Sequence, residues 1–298
     1  METVISVDKF SKRFGRQEVV HDLSFEVRRG EVFAFLGANG SGKTTTVRCL
    51  LGLMRPSAGE LLIQGRRYDE TIASRIGYLP EERGLYTSSN VLETMTYVGS
   101  LKGVAKNEAI QWSERFLERV GLADKAKEKV KRLSSGQQQK IQLGLTLINN
   151  PEILILDEPT KGLDPVNRAL FMEMLEERRA HGATIMFITH LMDEVEKIAD
   201  RLIMIHQGRR RLYGEVGEVR RQFGENRIHV DFSGTLPEAK DLFRSSVDGH
   251  RAELIPLDGV TSERILEHLV SRKLKMQKFE IDAPSLQEIF VMISESNE

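Results

Sequence analysis

The chain has 298 residues, with 43 Lys and Arg residues against 44 Asp and Glu residues, a formal net charge of -1 and one cysteine. A chain of this length is expected to form about two domains, and its balanced charge gives no global indication of a nucleic-acid partner. The lone Cys49 excludes an internal disulfide and is typical of a reducing compartment; we expect its thiol to be buried.

The sequence contains no targeting or membrane signal. The first residues, METVISVDKF, lack the basic start and apolar stretch of a secretory signal. No window approaches the run of about 18 apolar residues that a bilayer span requires. We therefore expect a cytoplasmic chain without direct membrane insertion, whose membrane role, if it has one, depends on a separate partner.

The beginning of the chain predicts strands, a glycine-rich loop and a helix. Apolar residues tend to alternate from Val4 to Val27, which predicts antiparallel strands half exposed to water. Val32–Leu36 is a continuous apolar run, as expected of a buried parallel strand. The pattern from Thr44 to Leu51 then predicts a helix.

Helical periodicity replaces the strand signals from about residue 87 to about residue 150, which predicts an inserted helical subdomain. Buried strands return at Ile153–Leu156, Thr184–Ile188 and Leu202–His206, with a helix over about Val166–Arg179. Residues 1–215 therefore predict an α/β domain with a mainly parallel sheet and an antiparallel β layer at its start.

The remaining residues predict a linker and a small α+β domain. Residues 216–226 are polar and contain glycine, as in a linker or a short connecting helix, and the second domain is expected at 227–298. Its predicted strands are Arg227–Phe232, Ala252–Ile255 and Lys278–Ile281, and its predicted helices are Glu238–Phe243, Ser262–Arg272 and Ser285–Met292.

The segment Gly37–Thr44 (GANGSGKT) matches the phosphate-loop pattern Gly-x-x-x-x-Gly-Lys-Thr and lies between the predicted strand and helix. Its glycines let backbone N–H groups face anionic oxygens, Lys43 adds a positive charge, and the Thr44 hydroxyl suits Mg²⁺. The alternative is a glycine turn with a solvated lysine. The expected nucleotide-binding residues of this segment are Gly37, Asn39, Gly40, Ser41, Gly42, Lys43, Thr44 and Thr45.

Two carboxylates end the apolar strand in Ile153–Glu158 (ILILDE). Asp157 is expected at the C-terminal edge of the sheet, where α/β folds bind ligands, and could hold Mg²⁺ through water. Glu158 could act as the base that orients or deprotonates the water attacking the γ phosphate. The alternative is a solvated strand end.

Together with Leu133–Gln137 (LSSGQ), these segments resemble the nucleotide-binding subunit of an ABC (ATP-binding cassette) transporter, over residues 1 to about 215. LSSGQ corresponds to the family signature Leu-Ser-Gly-Gly-Gln. The resemblance implies that this loop caps ATP held by Lys43 of the opposite subunit. Ser135 replaces the usual glycine, and we expect it to be tolerated unless the position needs a positive φ. The signature residues expected to act in trans are Ser134, Ser135, Gly136 and Gln137.

The resemblance assigns three further residues. It implies that Phe14 stacks on adenine, although a Phe near a strand end is more often part of a core. It places Asp164 in a loop along the dimer interface, although this residue could also cap the next helix. His190, after the strand Thr184–Thr189, matches the switch histidine that contacts the γ phosphate.

Glu81 occupies the position of a glutamine that in the family links Mg²⁺ and the attacking water to the membrane subunit. A carboxylate can ligate the metal but cannot donate a hydrogen bond. The surrounding Pro80–Gly84 stretch (PEERG) resembles the ABC-2 export group. We expect a groove near Glu81–Leu85 and the helical insert to contact the membrane subunit.

The resemblance therefore implies a RecA-like P-loop NTPase core that hydrolyses ATP with Mg²⁺. It implies a homodimer around two ATP molecules that drives export through separate transmembrane permease subunits, at the inner face of the cell membrane. Residues 227–298 resemble an accessory domain of such exporters, including Pro284–Phe290 (PSLQEIF). That domain is either regulatory or dimer-stabilising, or it merely packs on the core.

Two alternatives differ in class. A non-transport ABC ATPase would act on nucleic acid or ribosomes, but such relatives usually carry a coiled-coil insertion or two cassettes, which this sequence lacks. A binding module would use ATP only to hold a dimer together. The combination of Lys43, Asp157, Glu158 and His190 favours hydrolysis.

Overall fold

The computed structural model describes residues 2–82, 84–86, 88–223, 227–257 and 259–295. The chain divides into two compact units, and the boundary falls between Tyr213 and Gly214, whereas the sequence placed the end of the first domain at residue 215. No helix within the described residues is long and apolar enough to cross a membrane.

The strands of the first unit form two sheets. A three-stranded antiparallel sheet has the order β2-β1-β4, and a six-stranded sheet has the order β5-β6-β7-β3-β8-β9. The strands are β1 (Thr3–Phe14), β2 (Gln17–Arg28), β3 (Val32–Leu36), β4 (Ala58–Ile63), β5 (Ile76–Leu79), β6 (Ile153–Asp157), β7 (Thr184–Thr189), β8 (Arg201–His206) and β9 (Arg209–Glu215). The predicted α/β fold is confirmed.

The helices of the first unit include the predicted helical insert, which contains α3, α4 and α5; Thr87, at its predicted start, lies outside the described residues. The helices are α1 (Lys43–Leu50), α2 (Glu70–Ala73), α3 (Val91–Leu101), α4 (Lys106–Arg119), α5 (Ser135–Leu147), α6 (Pro165–Ala180) and α7 (Met192–Ile198).

The two sheets share an apolar core. Every residue of β3 is buried, which explains its uninterrupted apolar sequence. The Phe25 ring of β2 lies 5.6 Å from that of Phe33 and 5.4 Å from that of Phe35, centroid to centroid. Burying each such side chain contributes about 1.5–3 kcal/mol. Cys49 is also buried, as expected.

Parallel pairing aligns the strand ends that matter for function. β7 pairs with both β3 and β6, and Leu36 is opposite Thr189 while Asp157 is opposite Ile188. Because these strands are parallel, the segments that follow β3, β6 and β7 leave the sheet at one edge. This edge therefore carries the phosphate loop, the two carboxylates and His190.

The second unit is an α+β fold with the strand order β11-β12-β10-β13, in which neighbouring strands are antiparallel. Ile228, Leu254 and Leu269 form part of its core. Its elements are α8 (Val216–Gln222), β10 (Arg227–Ser233), β11 (Phe243–Asp248), β12 (Arg251–Pro256), α9 (Ser262–Ser271), β13 (Lys275–Asp282) and α10 (Leu286–Glu295). Much of the predicted linker, residues 216–226, forms α8. Residues 224–226 of the linker lie outside the described residues.

The predicted helix Glu238–Phe243 is wrong. Residues 240–242 form a turn, and Phe243 begins β11, a strand that the sequence did not predict. Ala239, Leu242 and Phe243 have the spacing of a helix face, but they are buried in the domain core, and Phe243 is paired with Pro256. Tertiary packing and strand pairing therefore override the local periodicity.

Gly77 of β5 provides a test of how closely α5 packs against the sheet. A Cβ atom at Gly77 would lie 2.8 Å from Thr146 O and 2.7 Å from Leu154 Cδ2. We expect Gly77→Ala to lower the free energy of unfolding by about 1–3 kcal/mol, because backbone must move to admit the methyl group. Urea denaturation would measure this. Gly84→Ala, where a Cβ meets no atom within 4 Å, is the control, and equal effects would contradict the prediction.

Candidate functional site

A cleft of about 370 Å³ lies at the C-terminal ends of the parallel strands β3 and β6. Four segments meet there: β2, the loop after β3 with the first turn of α1, the end of β6, and the residue after Pro80. The cleft is lined by Val19, Asn39, Gly40, Ser41, Gly42, Lys43, Thr44, Thr45, Glu81, Asp157 and Glu158. Most of the residues predicted to bind nucleotide or metal are therefore brought together.

The phosphate loop is shaped by glycine and ends in the first turn of α1. Gly42, the residue preceding α1, has φ +105°, a conformation that L side chains rarely adopt. Lys43 is buried, and its Nζ donates to Gly37 O at 2.6 Å and to Ala38 O at 3.2 Å. Burial lowers the pKa of Lys43, while the carboxylates of Glu158, Asp157 and Glu81 oppose that shift. A desolvated ammonium held by backbone carbonyls is suited to bind an anion.

Asp157 is fully buried beside the Thr44 hydroxyl. Thr44 Oγ1 donates to Asp157 Oδ2 at 3.0 Å, whereas Asp157 Oδ1 is buried and accepts no hydrogen bond from the described residues. Burial raises the pKa of Asp157 to about 6, although the hydrogen bond from Thr44 opposes the rise. The free chain thus holds an incompletely satisfied carboxylate, whose charge a cation would stabilise.

This donor set fits Mg²⁺. Mg²⁺ prefers oxygen ligands and usually takes one or two carboxylates, with water and phosphate oxygens completing its shell. Asp157 and Thr44 provide a carboxylate and a hydroxyl side by side. No group of three or more His, Cys, Asp or Glu residues suited to a metal occurs in the described part of the chain. One carboxylate beside one hydroxyl suits a metal whose remaining oxygen ligands come from phosphate and water.

Glu158 is held in a fixed position directly after Asp157. It has φ +48°, and the residue is 5% exposed. Its Oε1 lies 2.7 Å from His190 Nδ1, and its Oε2 accepts from Thr189 Oγ1 at 3.3 Å. A non-glycine residue with positive φ is uncommon and often marks a functional position. His190 lies outside the cleft lining but reaches it through Glu158.

Glu81 lines the cleft and forms an ion pair. Its Oε1 accepts from Lys161 Nζ at 2.7 Å, and both side chains are exposed. The predicted role of Glu81 as a metal ligand would therefore require it to exchange Lys161 for the metal. An exposed ion pair of this kind contributes little stability, so breaking it would require little free energy.

Other predicted residues lie outside this cleft. The Phe14 side chain is 46% exposed, which excludes the core alternative, and Lys12 Nζ lies 4.9 Å from its ring centroid. Asp164 caps α6 by accepting from the Asn167 N–H at 3.0 Å, as in the capping alternative. Its predicted interface role is compatible with this exposed position.

The signature segment forms the start of α5 and is not among the residues described as lining the cleft. Ser134 Oγ accepts from the Gln137 N–H at 3.3 Å, and Gln137 Oε1 accepts from the Ser134 N–H at 2.9 Å. This capping box fixes the segment to the helix. Ser135 and Gly136 follow within the first turn. Ser135 has no positive φ, so serine is compatible with that position.

Sequence reasoning missed three contributors to the site. Val19 of β2 lines the cleft. Lys161 binds Glu81, and Thr189 supports Glu158. Lys161 could have been noticed as a cation three residues after Glu158. Its partner, however, is 80 residues away in sequence, and only the pairing of β5 with β6 brings their ends together.

Comparisons with known proteins agree with this geometry. A family model described as ABC transporter matches residues 20–161, and one described as ATP-binding protein DrrA1-3-like, C-terminal domain, matches residues 214–294. An uncharacterized ABC transporter ATP-binding protein of Bacillus subtilis (strain 168), YhaQ, is 36% identical over 97% of this chain and 97% of its own length. The chain belongs to the ABC transporter ATP-binding proteins.

Two further matches support this membership. The daunorubicin resistance ATP-binding protein DrrA3 of Streptomyces coeruleorubidus is 32% identical, over 98% of this chain and 96% of its own. A solved structure described as the ATP binding subunit of an ABC transporter has a TM-score of 0.70 and 31% identity, covering 74% of this chain and 93% of that one. The resemblance seen in the sequence is therefore confirmed.

The pKa of Asp157 gives this ABC transporter ATP-binding protein a testable pH dependence. Burial raises the pKa of Asp157 from 3.8 to about 6, so the folded chain binds this proton more tightly than the unfolded chain. The stability that the proton contributes to the fold is fully present below pH 3.8 and is lost as the pH rises through about 6. At pH 7.5 we expect nucleotide-free Asp157→Asn to be more stable than wild type by roughly 1–3 kcal/mol, since it buries no charge.

Urea denaturation between pH 5 and pH 8 would measure this difference, which should shrink as the pH falls. Glu114→Gln, which removes an exposed carboxylate of α4, is the control and should show no such trend. An Asp157→Asn chain that is less stable than wild type at pH 7.5 would contradict the assignment.

Proposed function

We propose that this chain hydrolyses ATP with Mg²⁺ and forms a homodimer around two ATP molecules, driving export through separate transmembrane permease subunits. The observation that carries the proposal is the cleft that joins Lys43, Thr44, Asp157 and Glu158, from which the signature segment of the same chain is absent. A site with one half of its expected residues suggests that a second copy supplies the other half.

The phosphate loop would bind the ATP phosphates. The N–H groups of Lys43, Thr44 and Thr45 lie in the first turn of α1, where they have no intrahelical acceptor and the helix dipole favours an anion. Lys43 would exchange the carbonyls of Gly37 and Ala38 for phosphate oxygens. Thr44 and Asp157 would hold Mg²⁺, which supplies charge neutralisation when bound. Phe14, exposed at the end of β1, would stack on adenine.

Glu158 would act as the general base. Its buried carboxylate is already oriented by Thr189 and His190, so little reorganisation is needed to accept a proton from water. His190 is partly exposed beside it and could move between Glu158 and a phosphate oxygen. This exchange fits the role of a switch that reports the state of the nucleotide.

The signature segment is suited to bind phosphate of the partner subunit. Ser134 and Ser135 are exposed. The N–H groups in the first turn of α5 point out of the N-terminal end of the helix, where an anion can bind. The Ser134 oxygen accepts a hydrogen bond within the cap, which leaves its hydroxyl hydrogen free to donate to an anion. Asp164, at the start of α6, would lie along the same interface.

The relatives support export as the direction of transport. A daunorubicin resistance ATP-binding protein matches nearly the whole chain, and the C-terminal family model matches the second unit. Resistance to a drug is consistent with removing it from the cell, so we infer export. The chain would then work at the inner face of the cell membrane through its permease partner.

Glu158→Gln tests the catalytic assignment. Glutamine keeps the shape of the side chain but cannot accept a proton, so we expect ATP turnover to fall by at least about 100-fold. A phosphate-release assay would measure this loss of turnover. ATP-dependent dimerisation, which requires bound ATP, should persist in analytical ultracentrifugation. Turnover near the wild-type rate would show that Glu158 is not the base.

The trapped Glu158→Gln dimer also tests the partner. Capture of the tagged variant with ATP from detergent-solubilised native cells should recover a stoichiometric polytopic membrane protein. Lys43→Ala, which should not bind ATP, is the matched control for nucleotide-dependent capture. Recovery of ribosomes or DNA-associated proteins instead would favour a non-transport ATPase.

A further inference from the structure

Two buried glutamines connect the helix of the signature segment to the chain's own cleft. Gln139 and Gln142 lie on α5, and each is 4% exposed. Gln139 Nε2 donates to Pro159 O at 2.9 Å, and Gln142 Nε2 donates to Pro80 O at 3.0 Å. Glutamine is mostly exposed in proteins. Gln142 Oε1 is buried and accepts no hydrogen bond from the described residues, so this side chain is held through its amide nitrogen. The two side chains thus attach α5 to two separate loops.

Both acceptors lie beside carboxylates of the cleft. Pro80 follows β5 and precedes Glu81, and Pro159 directly follows Glu158. A buried backbone carbonyl beyond the end of a strand no longer has a ladder partner and needs another donor. The glutamines provide these donors. Each glutamine therefore donates to the carbonyl of a residue that is the sequence neighbour of a carboxylate lining the cleft, Glu158 or Glu81.

The contact between α5 and β5 continues along the helix. Thr146 Oγ1, about one turn after Gln142, lies 3.4 Å from Tyr78 O and donates to Gln142 O at 2.9 Å. The close approach at Gly77 lies in the same contact, since a Cβ there would meet Thr146 O at 2.8 Å. Packing as dense as this transmits a shift of the strand end to the helix.

The signature segment moves with α5 because the capping box of Ser134 and Gln137 makes it part of the helix. Gln142 lies roughly two turns, or about 12 Å, beyond Ser134. A rearrangement of Glu81, for instance the exchange of Lys161 for a metal, would displace the adjacent Pro80 carbonyl. That displacement would then tilt the helix that carries Ser134.

We propose that Gln139 and Gln142 are positioning residues that set the orientation of the signature segment according to the state of the chain's own cleft. Since the signature segment is proposed to serve ATP bound by the partner subunit, the two glutamines couple the two ATP sites of the dimer. This inference rests on the proposed function.

The test measures dimerisation and ATP binding separately, in the full chain carrying Glu158→Gln. Gln142→Leu keeps the bulk of the side chain but removes the donor. We expect the dissociation constant of the ATP-dependent dimer to rise about tenfold, a typical size for coupling between sites. The affinity of the dilute monomer for a fluorescent ATP analogue should stay within about twofold, because that binding does not use the signature segment.

Thr94→Val is the matched control. Thr94, in α3, is 1% exposed and its hydroxyl donates to the O of Asn90, the residue that caps α3, at 2.8 Å. Its loss therefore perturbs the helical insert without reaching the cleft loops. Gln139→Leu, which acts at the other carbonyl, should weaken dimerisation as Gln142→Leu does. The inference is overturned if Thr94→Val weakens dimerisation equally, or if Gln142→Leu weakens monomer ATP binding as much as dimerisation.

A double-mutant cycle with Ser134→Gly distinguishes this inference from the proposed function. Glycine is tolerated as a helix cap, so this change mainly removes the hydroxyl. If Gln142 acts through the signature segment, Gln142→Leu should weaken dimerisation by less than about threefold in the Ser134→Gly background. Additive effects would overturn this inference alone. A Ser134→Gly chain that dimerises normally would overturn the trans contact of the proposed function, and this inference with it.

Discussion

The structure depends on the parallel pairing of β3, β7 and β6, because this pairing holds buried charged groups at the lining of one cleft. The strands are apolar and almost wholly buried, so the polar groups are displaced to their C-terminal ends. Lys43 binds backbone carbonyls there, and one oxygen of Asp157 accepts no hydrogen bond from the described residues. Such groups are costly to bury, and a phosphate with a divalent cation would offset that cost.

The same edge explains why the chain by itself holds only part of the proposed site. The phosphate loop, both carboxylates and His190 come from adjacent strand ends, whereas the signature segment begins α5 in the helical insert. Its connection to the cleft passes through the amides of Gln139 and Gln142 rather than through direct contact. The insert therefore packs against the sheet through α5, while its signature segment stays outside the lining of the cleft. This arrangement suits a machine in which each subunit completes the site of its partner.

Much of the first unit could be predicted because its signals are local. The apolar run of Val32–Leu36 and the spacing of glycine, lysine and threonine after it specify a buried strand and a phosphate loop without distant information. The ion pair of Glu81 with Lys161 and the bond from Gln142 to Pro80 could not be predicted, since their partners are remote in sequence. In the second unit, the spacing of Ala239, Leu242 and Phe243 indicated a helix, but burial in the core and pairing with β12 produced a turn and a strand.

The central claim is that each ATP site is shared between two copies of the chain, and complementation tests it most directly. Lys43→Ala removes the phosphate-binding half, and Ser134→Asp keeps the helix cap but opposes phosphate in the other half. Each variant alone should be inactive. An equal mixture should regain about a quarter of wild-type ATP turnover, because about half of its dimers are mixed and each of those holds one complete site. A mixture as inactive as its components would contradict the account.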